Sequence, residues 1–99
     1  MSLRSLWTRE AEASFRSILT YVTSEWGELV ADAFTSDVQH TIMLLEIFPH
    51  GGVLEVKDKA IRSIPVARQV RLFYRVSGDA VIILEFIDTR TERFQGNRD

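Results

Sequence analysis

The feature that most constrains this chain is a change of hydrophobic period around Pro49. Before it, apolar residues recur every three or four positions; from Ile61 onward they alternate or run together. A period of 3.6 belongs to helices with one buried stripe and a period of 2 to strands, so helices precede a sheet. Ala11, Phe15, Ile18, Leu19, Val22 and Trp26 form one stripe, and Val30, Ala33, Phe34, Val38, Ile42 and Leu45 form a second. Gly27 separates them where a helix C-terminus favours a residue without Cβ, which predicts a helical hairpin. Thr8 is the natural N-cap of a first helix beginning near Arg9, and Glu10 and Glu12 sit where the helix dipole favours anions.

Pro49 and Gly51-Gly52 end the second helix and predict an irregular stretch, because Pro cannot continue the ladder and glycines leave the backbone unrestrained. Strands are predicted over 61–66, 69–76 and 80–87, all rich in Val, Ile, Phe and Tyr, with a hairpin turn at Ser77-Gly78-Asp79. Leu3, Leu6 and Trp7 suggest one more short strand at the start. The predicted order is β-α-α-β-β-β, an α+β fold in which a helical hairpin packs on a small antiparallel sheet. In its middle strand Val70, Leu72, Tyr74 and Val76 face the core, while Arg71, Phe73 and Arg75 face the other way.

Composition narrows the function. Ninety-nine residues, 45% hydrophobic and 26% charged, suit a single domain over 1–99. The absence of cysteine removes disulfides, thiolate nucleophiles and Cys-ligated zinc. His40 and His50 have no metal-ligand spacing with the carboxylates, and there is no Gly-rich phosphate loop or nucleophile elbow; neither metal nor cofactor is expected. No apolar run approaches the roughly 18 residues of a membrane span, and the opening residues lack a signal-peptide core, so no membrane partner and a cytoplasmic address are expected.

The net charge of −2 conceals an asymmetry: Lys57, Lys59, Arg62, Arg68, Arg71 and Arg75 are opposed between them only by Asp58. Such a region either solvates exposed strands or binds an acidic partner. Phe73, between Arg71 and Arg75 on one strand face, can stack on a base, fill a partner's pocket, or pack in the core under the C-terminal tail. His50, in the Pro-His-Gly-Gly turn, is an acid or base by residue type, but its loop position argues for a structural place.

The order of elements and the residues at their joints resemble the RelE/ParE superfamily of toxins. The residues that carry the likeness are the opening "LWTREAEASF", the Trp26-Gly27 break, "LLEIFPHGG", "AIRSIPV" and "VRLFYRVSGDAVIILEFIDTR". The resemblance spans nearly the whole chain and implies the toxin of a type II toxin–antitoxin pair, which inhibits growth until a cognate antitoxin neutralises it. ParE-like members poison DNA gyrase; RelE-like members cut mRNA on the ribosome. For a nuclease, the resemblance implies catalytic roles for Arg71 in the middle strand and Arg90 after the last strand, assisted by Lys57, Lys59 and Arg62. RNA cleavage needs cations at the phosphate and also a proton carrier. RNA-cleaving relatives supply a tyrosine or histidine near the C-terminus, and Thr91–Asp99 contains neither. The expectation is therefore a ParE-like gyrase poison; the alternatives are an mRNA endonuclease and an inactive member that only binds antitoxin. Binding is expected through Lys57, Lys59, Arg62, Arg68, Phe73 and Arg75. A homodimer through Trp26 or a strand edge is a further possibility.

Overall fold

A computed structural model describes residues 2–90. Strand β1 (Arg4–Trp7) leads into helices α1 (Arg9–Trp26) and α2 (Glu28–Ile47). The sheet strands β2 (Val53–Val56), β3 (Ile61–Ala67), β4 (Val70–Ser77) and β5 (Ala80–Asp88) follow, with a short 3-10 turn at Lys57–Lys59. The strand order is β1-β5-β4-β3-β2. The last four strands form an antiparallel meander, and β1 joins β5 in parallel.

The α+β architecture is the expected one, with one strand more than the sequence suggested. The segment expected to be irregular contains β2, paired with the free edge of β3. Val53-Leu54-Glu55-Val56 is too short to display a period of 2, and its strand exists because a neighbour supplies the hydrogen-bonding edge. The sheet is also mixed, because the long helical hairpin carries the chain away from β1 and lets β5 return alongside it.

Local chemistry explains where the helices begin and end. The Thr8 side chain accepts the Ala11 N–H at 3.0 Å, as an N-cap should. Gly27 has φ 90°, a backbone region that L side chains rarely adopt, and this bend lets α2 turn back. Its own N–H donates to the Thr23 carbonyl at 3.0 Å.

Both helices pack on one sheet face over a single main core. Ala11, Phe34, Val38, Ile42 and Leu45 from the helices meet Leu72, Tyr74, Val81, Ile83 and Phe86 from the sheet. Phe15 joins Trp7, Phe34 and Phe86 with ring centroids 5.5, 5.8 and 5.6 Å apart respectively. Aromatic contacts at such spacings each add about 0.5–1.5 kcal/mol beyond area burial. On the other face a smaller cluster of Ile61, Phe73 and Ile87 gathers Val56 and Leu84 around it.

A bulge in β5 links the two layers. Phe73 pairs with Glu85 and Tyr74 with Ile83, which leaves Leu84 as an extra residue. The Thr8 hydroxyl lies 3.0 Å from the Ile83 carbonyl and 2.9 Å from that of Leu84, so one hydroxyl hydrogen serves both. Just beyond, the Phe86 N–H donates to Ser14 Oγ at 2.9 Å. The first two turns of α1 thus satisfy backbone groups that the bulge would otherwise strand.

Candidate functional site

The cations expected to form one region are divided by the fold. Arg71, Phe73 and Arg75 alternate with the core residues of β4, as the pattern required, and lie on the face away from the helices. There the Arg71 Nε–H donates to Ser63 Oγ at 3.1 Å, and the Ser63 hydroxyl donates to a Glu55 carboxylate oxygen. Ser63 is fully buried, so this chain ties β2, β3 and β4 together and holds the guanidinium in one orientation.

Lys59 and Arg75 instead line a cleft of about 560 Å³ on the same face, together with Glu10, Glu85, Ile61 and Leu84. Two cations and two anions make that cleft nearly neutral. Phe73 is only 8% exposed within the Ile61 and Ile87 cluster, so of its three expected uses the described residues display packing. Its relation to the C-terminal tail lies outside the described residues, as does the expectation about a tyrosine or histidine in Thr91–Asp99.

Arg62 belongs to the opposite face. It pairs with Tyr74 across β3 and β4, and its Nη1 reaches the Gly52 carbonyl at 2.9 Å and that of His50 at 3.4 Å. The histidine thus contributes its backbone to a turn that Arg62 closes. Lys57 is exposed on the 3-10 turn that joins β2 to β3.

Arg68 and Arg90 lie elsewhere, lining a groove of about 430 Å³ near the Gly27 turn of the helical hairpin, beside Tyr21, Trp26, Val30 and Asp88. Arg90 is held by Asp88 through Nε at 3.3 Å and Nη2 at 3.1 Å. The hydrogen bonds from Arg90 lower the Asp88 carboxyl below its usual range, and Asp88 in turn raises the guanidinium. Arg71 and Arg90 are therefore brought to different faces, each with a carboxylate of the same chain behind it.

Tyr74 occupies the core register expected of it. It is fully buried, its hydroxyl donates to the Pro49 carbonyl at 2.8 Å, and it accepts the Gly52 N–H at 2.9 Å. Burial raises its pKa above the ordinary phenol value. The residues that sequence reasoning missed are Glu55 and Ser63: nothing in their local pattern signals a partnership that only strand pairing creates. Large apolar side chains are also left exposed, among them Trp26, Leu29 and Val30 around the helical turn, Met43, Leu44, Ile47 and Phe48 at the end of α2, and Val53 and Leu54 on β2. No helix of the described residues is long and apolar enough to cross a membrane, and they contain no cluster of metal-ligating side chains.

The comparisons with known proteins agree with this geometry. No curated protein is similar enough to match the chain. Among solved structures, one described as a chromosomal ParDE TA system from P. aeruginosa superposes with a TM-score of 0.71 at 21% identity, covering 86% of this chain and 94% of that one. A likeness at that identity speaks for the fold. Residues 6–93 match the family described as ParE toxin of type II toxin-antitoxin system, parDE. That match covers most of the sequence, and this chain belongs to the ParE toxin family of type II toxin–antitoxin systems.

Proposed function

We propose that this protein acts by binding and poisoning DNA gyrase, and that a cognate antitoxin neutralises it. The observation that carries this reading is the engagement of both arginines expected for phosphate chemistry. Arg71 is tied through Ser63 to Glu55, and Arg90 is doubly bonded to Asp88. A carboxylate behind each guanidinium weakens its pull on a developing phosphate charge, whereas a docking surface tolerates and even uses such pairs to fix side-chain orientation.

The tyrosine nearest to Arg71 in sequence points the other way. Tyr74 is buried on the helix side, with both its donor and an acceptor site engaged, and burial holds its proton more tightly. A proton carrier beside a scissile ribose needs access and a pKa nearer neutrality. Membership of the ParE family and the likeness to a ParDE system favour gyrase over the ribosome as target. The chemistry is then recognition: the outer sheet face presents Arg75 and Lys59 along a partly apolar cleft, with Arg71 on the same face of β4, a surface suited to a protein partner.

The test is a supercoiling assay with purified gyrase, followed by denaturation to reveal trapped DNA breaks. Inhibition with accumulated breaks supports the reading. Unimpaired supercoiling, together with site-specific cuts in translated mRNA, would replace it with the nuclease alternative.

A further inference from the structure

The outer face of the sheet is more deeply buried than its described surroundings explain. Both helices pack on the opposite face, and the other described elements are the strands themselves and the 3-10 turn at Lys57–Lys59. Yet Ile61, Phe73 and Ile87 on the outer face are 5%, 8% and 2% exposed, and Ser63 between them is fully buried. A sheet face that no layer covers shields its side chains only from the flanks and leaves their outer surface to water. Ile61, Phe73 and Ile87, gathered with Val56 and Leu84, amount to a second core, and a core needs a roof. These exposures hold for a single chain, so the roof belongs to the same molecule and not to a partner.

Residues 91–99 leave from the C-terminal end of β5, the strand that carries Ile87, and contain one large apolar side chain, Phe94. Ile87 lies roughly 10 Å back from Arg90 along the strand. The stretch from Arg90 to Phe94 spans up to roughly 13 Å when extended, so a chain that turns back over β5 reaches the level of Ile87 with Phe94. Arg71 pairs with Ile87 and Phe73 with Glu85, which makes Phe73 the diagonal neighbour of Ile87 on that face. The charges agree with such a fold-back. Glu92, Arg93, Arg98 and Asp99 sum to zero, and the face sets Lys59, Arg71 and Arg75 against Glu10, Glu55 and Glu85, so neither side repels the other.

We propose that residues 91–99 fold back across the outer sheet face and seat Phe94 on Ile61, Phe73 and Ile87. A second aromatic ring beside Phe73 adds both buried area and a favourable ring contact, and it completes the smaller core. The roof also decides what this face offers to a target. Phe73 is withdrawn from it, and the cleft lined by Lys59, Arg75 and Leu84 at the border of the cluster is the part that stays open. The inference deepens the reading of this face as a docking surface. It is tested without any target, so its failure leaves that reading standing.

The test uses the full chain. Proton NMR of the wild type is expected to show cross-relaxation between the Phe94 ring and the methyl groups of Ile61 and Ile87. In urea melts, Phe94→Ala should lower the folding equilibrium constant by about tenfold or more. In a Phe73→Ala background the same substitution should lower it by less than about threefold, because the contact is already lost. Phe73→Leu serves as the background if Phe73→Ala does not fold. Phe48→Ala, at an exposed position on the other side of the sheet, should act by the same factor in both backgrounds. Equal losses from Phe94→Ala with and without Phe73, or a Phe94 ring with no methyl group of this cluster beside it, would overturn the inference.

Discussion

The amide nitrogen of Gly52 lies 2.9 Å from the hydroxyl of Tyr74, across a separation of 22 residues. The same hydroxyl donates to Pro49, so one buried side chain fixes the turn that delivers the chain from α2 to β2. No side chain fits at Gly52: a Cβ there would stand 2.7 Å from that hydroxyl and 2.7 Å from the Ser63 carbonyl oxygen.

Gly52→Ala is therefore expected to destabilise the fold by about 1–3 kcal/mol, the usual cost of forcing atoms into a packed site. Tyr74→Phe should cost about 1–3 kcal/mol, because the Gly52 N–H and Pro49 carbonyl lose their partner. Urea melts of the two single variants and the double variant should show losses that do not add, since both act on one contact.

Stability should fall at alkaline pH through Tyr74. Its folded pKa is raised, chiefly by burial, so the folded state holds the phenol proton more tightly than the unfolded chain does. The contribution is complete below the unfolded value of about 10 and is lost as pH rises above it. Thermal melts from pH 8 to 11 should show a decline that flattens in Tyr74→Phe.

The acid limb has the opposite sign. Asp88 is lowered, chiefly by its hydrogen bonds from Arg90, and so stabilises the fold above the ordinary carboxylate range near about pH 4. The contribution disappears as pH falls through the depressed folded value. Asp88→Asn should lower stability at pH 7, where the contribution is fully present, and flatten the acid limb seen in melts between pH 5 and 2.

Thr8 and Ser14 should matter more than surface hydroxyls do. Thr8→Ala removes an N-cap worth about 0.5–2 kcal/mol and also releases the bulge carbonyls of Ile83 and Leu84. Ser14→Ala leaves the Phe86 N–H without its acceptor, at a cost of about 1–3 kcal/mol. Native-state hydrogen exchange should show faster opening at Phe86 in Ser14→Ala, whereas Ser17→Ala on the exposed side of α1 leaves it unchanged.

Arg71 separates the two mechanisms. Under gyrase poisoning, Arg71→Ala combined with Arg90→Ala should keep growth arrest and DNA breaks, weakened no more than about tenfold by the loss of surface contacts. Under mRNA cleavage the pair should abolish arrest. Growth curves with parallel assays of DNA breaks and transcript ends distinguish the outcomes.

Much of the fold was legible because local rules were sufficient. The stripe from Ala11 to Trp26, the break at Gly27 and the alternation of β4 each follow from a period or a backbone constraint, and the structure realises them within a residue or so. Strand β2 was not legible, since four residues, three of them apolar, are too few to show a period. The separation of Arg62 and Arg90 from Arg71 and Arg75 was equally hidden, because which face of β3 carries Arg62 depends on its register against Tyr74, and the place of Arg90 on where the chain leaves β5.

The sequence by itself determined the class of fold, the helical hairpin, the inward register of Tyr74 and the lack of thiol chemistry, because periodicity, glycine and composition act over a few residues. Tertiary structure alone decided that β1 lies beside β5, that Glu55 and Ser63 hold Arg71, and that Arg62 closes the turn at His50 and Gly52. Those outcomes depend on strand pairing and layer packing between residues far apart in the chain, and pairing energy is a property of two segments that neither one records.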